Sequence, residues 1–216
     1  MKYCEARREI TLLDPNWLTS AIYRVLDKAS SVEHEGEFLR KQLSEWLDPR
    51  VYPVERHEFI LTMMQEPELG LCFRLPSGTE ERYLIPEALP ASRRFFGAWP
   101  ADCLRFRFTY SFLAPGLIPR FIVQAHRNLT PEKSRWRTGV ILRVRECETL
   151  AIADRDKQRV DIQVAGPEAL RRSALNVVLN DLDVVHILNP EAQPTPRVPL
   201  PDNPEIDVGY EHLFDA

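Results

Sequence analysis

In the first 67 residues of this chain apolar side chains return every third or fourth position, whereas from Leu104 they first return every second one. A chain patterned in this way has to build a helical block and then a sheet. The stretch "DPNWLTSAIYRVLDKA" lines Trp17/Leu18, Ala21/Ile22 and Val25/Leu26 along one helical stripe. Asp14 stands before it as the predicted N-cap, and Pro15 takes the first helical position, where a missing N–H costs nothing. "EFLRKQLSEWLD" predicts a second helix with Leu39, Leu43, Trp46 and Leu47 inward. It should stop before Pro49, because a proline disfavours helical dihedrals in the residue preceding it. "PVERHEFILTMMQEP" predicts a third, with Phe59/Ile60 and Met63/Met64 on its inner face.

"LGLCFRLPSGTEERYLIP" then reads as two short strands around Pro76-Ser77-Gly78, a hairpin. Three helices followed by a hairpin is a winged-helix-like order. A DNA-reading third helix would offer Arg and Lys to the groove. Here the polar face offers Glu55, Arg56, His57, Glu58, Gln65 and Glu66, so the expected role is protein docking. Further on, "CLRFRFTYSFL" alternates Leu104, Phe106, Phe108 and Tyr110 with arginines and Thr109, the pattern of a half-buried strand. "TGVILRVRE", "TLAIAD" and "RVDIQVAG" add three strands, and "PEALRRSALNVVLNDLDVV" a helix with Leu170, Ala174, Val177 or Val178, and Leu182 inward.

The expected fold class is α+β. A helical, winged-helix-like subdomain is expected over residues 1–95 and a mixed α/β subdomain over residues 102–189, with the boundary between residues 90 and 102. Residues 190–216 carry six prolines between Pro190 and Pro204 and are expected to form an extended tail that does not fold on its own. With 216 residues, 44% of them apolar, the chain can supply one large core or two small ones.

The net charge of −4 conceals an asymmetry. Residues 1–100 hold 13 Lys/Arg against 16 Asp/Glu, residues 101–145 hold 9 against 2, and residues 146–216 hold 6 against 14. The middle block is thus +7 and the last −8. Arg105, Arg107, Arg120, Arg127, Arg135, Arg137, Arg143 and Arg145, interleaved with aromatics, could form a nucleic-acid groove. The competing reading is that neighbouring elements of opposite sign complement each other, within the fold or across a partner interface. The second is preferred, and no nucleic-acid partner is expected.

Spacing argues against most chemistries. The eight glycines never fall closer than eight positions apart, so neither a dinucleotide fingerprint nor a P-loop can be spelled. Cys4, Cys72, Cys103 and Cys147 form no C-x-x-C pair and read as reduced thiols. His34-Glu35 and His57-Glu58 begin like zinc-protease helices but lack a histidine four residues on, and both read as solvated helix residues. Asp154 and Asp156 read as turn formers. Asp181, Asp183 and His186 lie at helical spacing, and a polar helix face is the expectation over a cation site. No catalytic constellation, metal site or cofactor is expected in this chain. No apolar run reaches the roughly 18 residues of a membrane helix and "MKYCEARREI" lacks a signal peptide's apolar core, so a cytoplasmic location without membrane association is expected.

One stretch is left open by these patterns. In "SFLAPGLIPRFIVQAH", Gly116 breaks the preceding strand, Pro119 suits a first helical turn, and Leu117, Phe121 and Ala125 share one face, which leaves "FLAPGL" as an apolar elbow. Period-two alternation places Tyr110 and Phe112 on the face of Phe106 and Phe108. An elbow that runs over the surface needs cover for its apolar residues.

"TLLDPNWLTSAIYRVLDKA", "RYLIPEALP", "LRFRFTYSFLAPGLIPRFIVQAH" and "WRTGVILR", in that order and at these intervals, resemble the COR domain of Roco proteins over nearly the whole chain. In that family COR follows directly after a Ras-like GTPase domain, Roc, usually behind leucine-rich repeats. The resemblance implies an N-terminal helical subdomain that touches Roc and a C-terminal one that mediates homodimerisation, here through residues 102–189. It implies a non-catalytic fragment of a longer, GTP-binding parent, with GTP or GDP and Mg²⁺ on Roc and residues 190–216 leading to the next domain. The arginine- and proline-rich composition is that expected of a bacterial member. Because the family's elbow segment lies against Roc, the resemblance makes Tyr110, Phe112 and Leu113 the candidate Roc-interface residues.

Overall fold

A computed structural model describes residues 15–76, 80–92, 99–129 and 134–210. The predicted N-cap Asp14, the hairpin turn at Ser77-Gly78 and residues 93–98 of the expected boundary lie outside them. The chain divides into two units, Met1–Ala88 and Leu89–Ala216. Helices and sheets are both present, so the protein is of the α+β class.

The N-terminal unit runs α1 (Pro15–Ala29), β1 (Glu37–Leu39), α2 (Leu43–Trp46), α3 (His57–Gln65), β2 (Phe73–Arg74) and β3 (Arg82–Leu84). Its three strands are antiparallel in the order β1-β3-β2. From α1 the stripe buries Ala21, Val25 and Ala29, and α3 meets the same core with Ile60, Leu61 and Met64. Full burial of a side chain of that size contributes roughly 1.5–3 kcal/mol, which is what holds so short a helix as α3 in place. Gly36, at φ +86°, makes the turn from α1 into β1, a left-handed conformation that suits glycine.

The second predicted helix is largely replaced. Its first three residues are β1, where Phe38 lies opposite Tyr83 with the rings stacked 5.6 Å apart. A 3₁₀ turn over Arg40–Gln42 follows, and the Leu39 N–H donates to Gln42 Oε1 at 2.7 Å. Only the single turn Leu43–Trp46 is α-helical. Cross-strand packing of Phe38 outweighs the helical spacing of Leu39, Leu43 and Trp46. His57 also departs from expectation. It is buried at 2% exposure, with Nε2 3.1 Å from the Tyr52 carbonyl oxygen. His34 lies outside any helix, edge-on to Trp46 at 4.9 Å.

The C-terminal unit contains β4 (Leu104–Thr109), α4 (Leu117–Gln124), β5 (Arg135–Trp136), β6 (Gly139–Val144), β7 (Cys147–Asp154), β8 (Arg159–Ala165), α5 (Glu168–Ile187), β9 (Thr195–Pro199) and β10 (Asp207–Gly209). These strands form one antiparallel sheet in the order β10-β9-β4-β8-β7-β6-β5. Phe106, Phe108, Val160, Ile162 and Val164 point to one face and are buried there, with α5 packed on α4 and across β7 and β8. From α5 the inward residues are Ala174, Leu175, Val178, Leu182, Val185 and His186. Gly166 ends β8 at φ +133°, where a Cβ would meet Cys147 at 3.0 Å.

Residues 190–216, expected to be an extended tail, instead supply β9 and β10 to the sheet. Prolines are tolerated because of where they fall. Pro196 lies opposite Phe108 of β4 with no partner in β10, and Pro199 lies opposite Asp207 of β10 with no partner in β4. Among the described residues only Arg197 is paired on both sides, with Arg107 and Gly209. Each missing N–H therefore sits where β9 is flanked on one side only.

Candidate functional site

The elbow begins where β4 stops at Thr109. Its course is fixed from the turn between β7 and β8. The Tyr110 N–H donates to the Gln158 carbonyl at 2.9 Å, and the Leu113 N–H to Gln158 Oε1 at 2.6 Å. Arg155 Nη2 donates to the Pro115 carbonyl at 3.3 Å. Gly116 then precedes α4 with an ordinary φ of −83°, so it opens no backbone cradle.

This course separates the three candidate residues. Tyr110 is 7% exposed and Leu113 3%, whereas Phe112 is 63% exposed. The chain bends after Tyr110, so Phe112 leaves the face it was expected to share with Phe106 and Phe108. The Tyr110 hydroxyl hydrogen-bonds His186 Nε2 at 3.0 Å, and the His186 ring meets Phe108 edge-on at 5.0 Å. Burial pushes the Tyr110 phenol upward and the His186 imidazole downward, so both are held neutral beneath α5. Tyr110 and Leu113 are core residues that anchor the elbow, and Phe112 is the large apolar side chain it offers to solvent.

The other candidates fall apart as a site. Asp183 Oδ1 is 3.9 Å from His186 Nδ1, but His186 faces the core and Asp183 faces solvent. Asp181 is partly buried, and that burial raises its carboxyl above the ordinary range against the opposing pull of a Gln124 hydrogen bond. Asp154 Oδ1 accepts the Lys157 N–H at 3.0 Å, the act of a turn former. Among the described residues no group of three or more His, Cys, Asp or Glu is placed to hold a metal ion, and no helix is long and apolar enough to cross a membrane.

Of the basic block's arginines, Arg107 and Arg135 are buried, while Arg127 is exposed on a 3₁₀ turn and Arg143 and Arg145 at the β6–β7 hairpin. Arg107 Nε donates to Asp161 at 2.6 Å, Nη1 to Asp207 at 2.7 Å, and Nη2 to the Pro204 carbonyl at 3.0 Å. Arg197 shares Asp207 at 2.6 Å, Arg159 reaches both Asp161 and Glu205, and Arg171 pairs with Asp102 across the blocks. Arg107 and Arg143 of the +7 block are thus answered by carboxylates of the −8 block within the same unit, and Arg159 and Arg197 by carboxylates of their own block. The network is a within-fold form of the expected charge complementarity, but its pairs were not named from the sequence, although "RVDIQVAG" carries the signal: Arg159 and Asp161 alternate with buried valine and isoleucine just as Arg107 alternates with Phe106 and Phe108. Gln158 was also missed, and no local pattern marks it. At the end of α5, Val184, Ile187 and Leu188 are exposed apolar residues that the periodicity did not single out.

Residues 2–89 match the COR-A domain model (C-terminal of Roc, COR-A domain), and residues 101–215 match the COR-B domain model (C-terminal of Roc, COR-B domain). No curated protein matches the chain. COR domains are non-catalytic accessory domains that follow Roc GTPase domains in Roco proteins. The two matches together span nearly the whole chain in the order COR-A, COR-B, and the protein therefore belongs to the COR domain family of Roco proteins.

Proposed function

We propose that this chain is a regulatory and dimerisation domain, without catalysis of its own, that couples the nucleotide state of an adjacent Roc GTPase to assembly of a Roco protein. The observation that carries the reading is the paired COR-A and COR-B match. In this reading GTP or GDP and its Mg²⁺ belong to Roc, and the N-terminal unit, with its order of helix, strand, two helices and hairpin, is a winged-helix-like docking scaffold. Phe112 is the contact through which Roc senses COR. It stands 63% exposed between the buried Tyr110 and Leu113, the arrangement of an anchor awaiting a pocket. The exposed Val184 and Ile187 of α5, with Leu188 just after it, lie within residues 102–189 and supply apolar surface for self-association. The alternative of a nucleic-acid module is disfavoured by the burial of Arg107 and Arg135 and by the intramolecular pairing of Arg107 and Arg143.

Phe112→Ala tests the reading. Loss of an interface anchor costs about 2 kcal/mol or more in binding, close to thirtyfold in affinity. A Phe112→Ala chain is expected to melt within a few degrees of the wild type, to bind a separately expressed Roc domain about thirtyfold more weakly by calorimetry, and to alter GTP turnover in a Roc-COR polypeptide. Wild-type affinity with wild-type turnover would remove Phe112 from the mechanism.

A further inference from the structure

Gln158 closes the β7–β8 turn with its backbone at φ +48°, in the left-handed region that side chains other than glycine, asparagine and aspartate seldom occupy. Glycine would take that conformation without strain. A glutamine kept there points to a use for its side chain. That use is a bond to the elbow: Oε1 accepts the Leu113 N–H at 2.6 Å while the carbonyl of the same residue accepts the Tyr110 N–H at 2.9 Å. One residue thereby holds the two amides that bracket Ser111 and Phe112. The same turn reaches the elbow a third time, from Arg155 to the Pro115 carbonyl. Between these fixed points Phe112 projects into solvent.

A loop that must be ordered on docking weakens association, and one already held in its bound shape does not. We propose that Gln158 is the positioning residue that pre-forms the elbow from Tyr110 to Pro115 and so sets where Phe112 is presented to a partner; this rests on the reading of Phe112 as the Roc contact. The side chain acts through the Leu113 amide and touches no partner itself.

Gln158→Gly removes the side chain while keeping the carbonyl and easing the left-handed backbone, so the fold is expected to survive. Amide exchange followed by NMR should show Leu113 exchanging about fivefold to tenfold faster, the effect of one hydrogen bond, with Tyr110 unchanged and the melting temperature within a few degrees of the wild type. The separately expressed Roc domain should bind the variant several-fold more weakly than the wild type but more tightly than Phe112→Ala. An unchanged Leu113 exchange rate in Gln158→Gly overturns the clamp. Faster exchange with wild-type Roc affinity, where Phe112→Ala does weaken binding, overturns the claim that the clamp serves presentation. If Phe112→Ala itself binds Roc as the wild type does, the docking reading falls and takes the presentation role with it, while the Leu113 rate still decides whether Gln158 holds the elbow.

Discussion

Two arginine–carboxylate pairs sit directly opposite one another in the same antiparallel sheet: Arg107 with Asp161 across β4 and β8, and Arg143 with Glu148 across β6 and β7. Their chemistry and register are alike, and their surroundings differ. The Arg107 and Asp161 side chains are 4% and 17% exposed, those of Arg143 and Glu148 66% and 50%. What separates them is the segment from Leu200 to Asp207, which lays the Pro204 carbonyl and the Asp207 carboxylate against the Arg107 guanidinium. Burial alone would disfavour the charged guanidinium, yet the hydrogen bonds it donates to Asp207 and Asp161 outweigh it and hold it firmly protonated. Register places charges together, and cover decides what the meeting is worth.

The largest effect is therefore expected at the cover. Asp207→Ala leaves Arg107 buried with Asp161 and the Pro204 carbonyl but without one of its two carboxylates, and it also releases Arg197. Unpairing a buried charge costs about 3–5 kcal/mol, and the remaining partners place this case near the lower end, at about 3 kcal/mol. Denaturant unfolding of the two proteins measures it. A loss below about 1 kcal/mol would mean that the segment from Leu200 to Asp207 does not seal Arg107 from water, and the contrast between the two pairs would collapse.

Acid probes the same cover more gently. Burial raises the Asp207 carboxyl, but hydrogen bonds from Arg107 and Arg197 prevail and hold it below its ordinary value. Arg159, and then Lys157, draw the Glu205 carboxyl down to about 2. Both groups are depressed in the folded chain, so the unfolded chain binds more protons as pH falls below about 4. The stability they contribute is complete above the unfolded values and is lost as pH drops through the folded ones. Melts between pH 6 and pH 2.5 should show this decline, with a shallower slope in Asp207→Asn. The share due to Glu205 should fade in high salt, because that carboxylate is open to solvent.

The same contrast explains what could be read from the residues. Phe106 and Phe108 announced a half-buried strand because a period of two is a local pattern, and both are buried. Arg107 between them looked like a solvent-facing residue of the same strand. Its partners lie 54 and 100 residues away, and the cover arrives with a proline-rich segment whose composition argues for an unfolded tail. Helix α1 was legible because its stripe and its Pro15 start act over a few turns, whereas β1 was not, since Phe38 becomes a strand residue only when Tyr83 is opposite it. The elbow was visible as an apolar break in pattern. Which of its residues faces outward depends on two bonds from Gln158, 48 and 45 positions further along the chain.

The smallest effect should come from the open pair. Arg143→Ala removes the 3.3 Å contact of Arg143 Nη2 with Glu148 Oε1, and solvent takes over both partners' hydration. Exposed pairs of this kind contribute about 0.2–1 kcal/mol, and the distance here is long for a charge-assisted bond, so a change of about 0.3 kcal/mol is expected, vanishing in molar salt. Paired with Asp207→Ala in one denaturation series, it gives a difference of about tenfold in free energy between removing the cover of the buried pair and breaking the open one. A cost above about 1.5 kcal/mol for Arg143→Ala would show that this exposed surface is covered in solution. Since Arg143 lies in the C-terminal unit to which self-association is assigned, the first check would be whether that excess cost rises with protein concentration, as it must if the cover is a second copy of the chain.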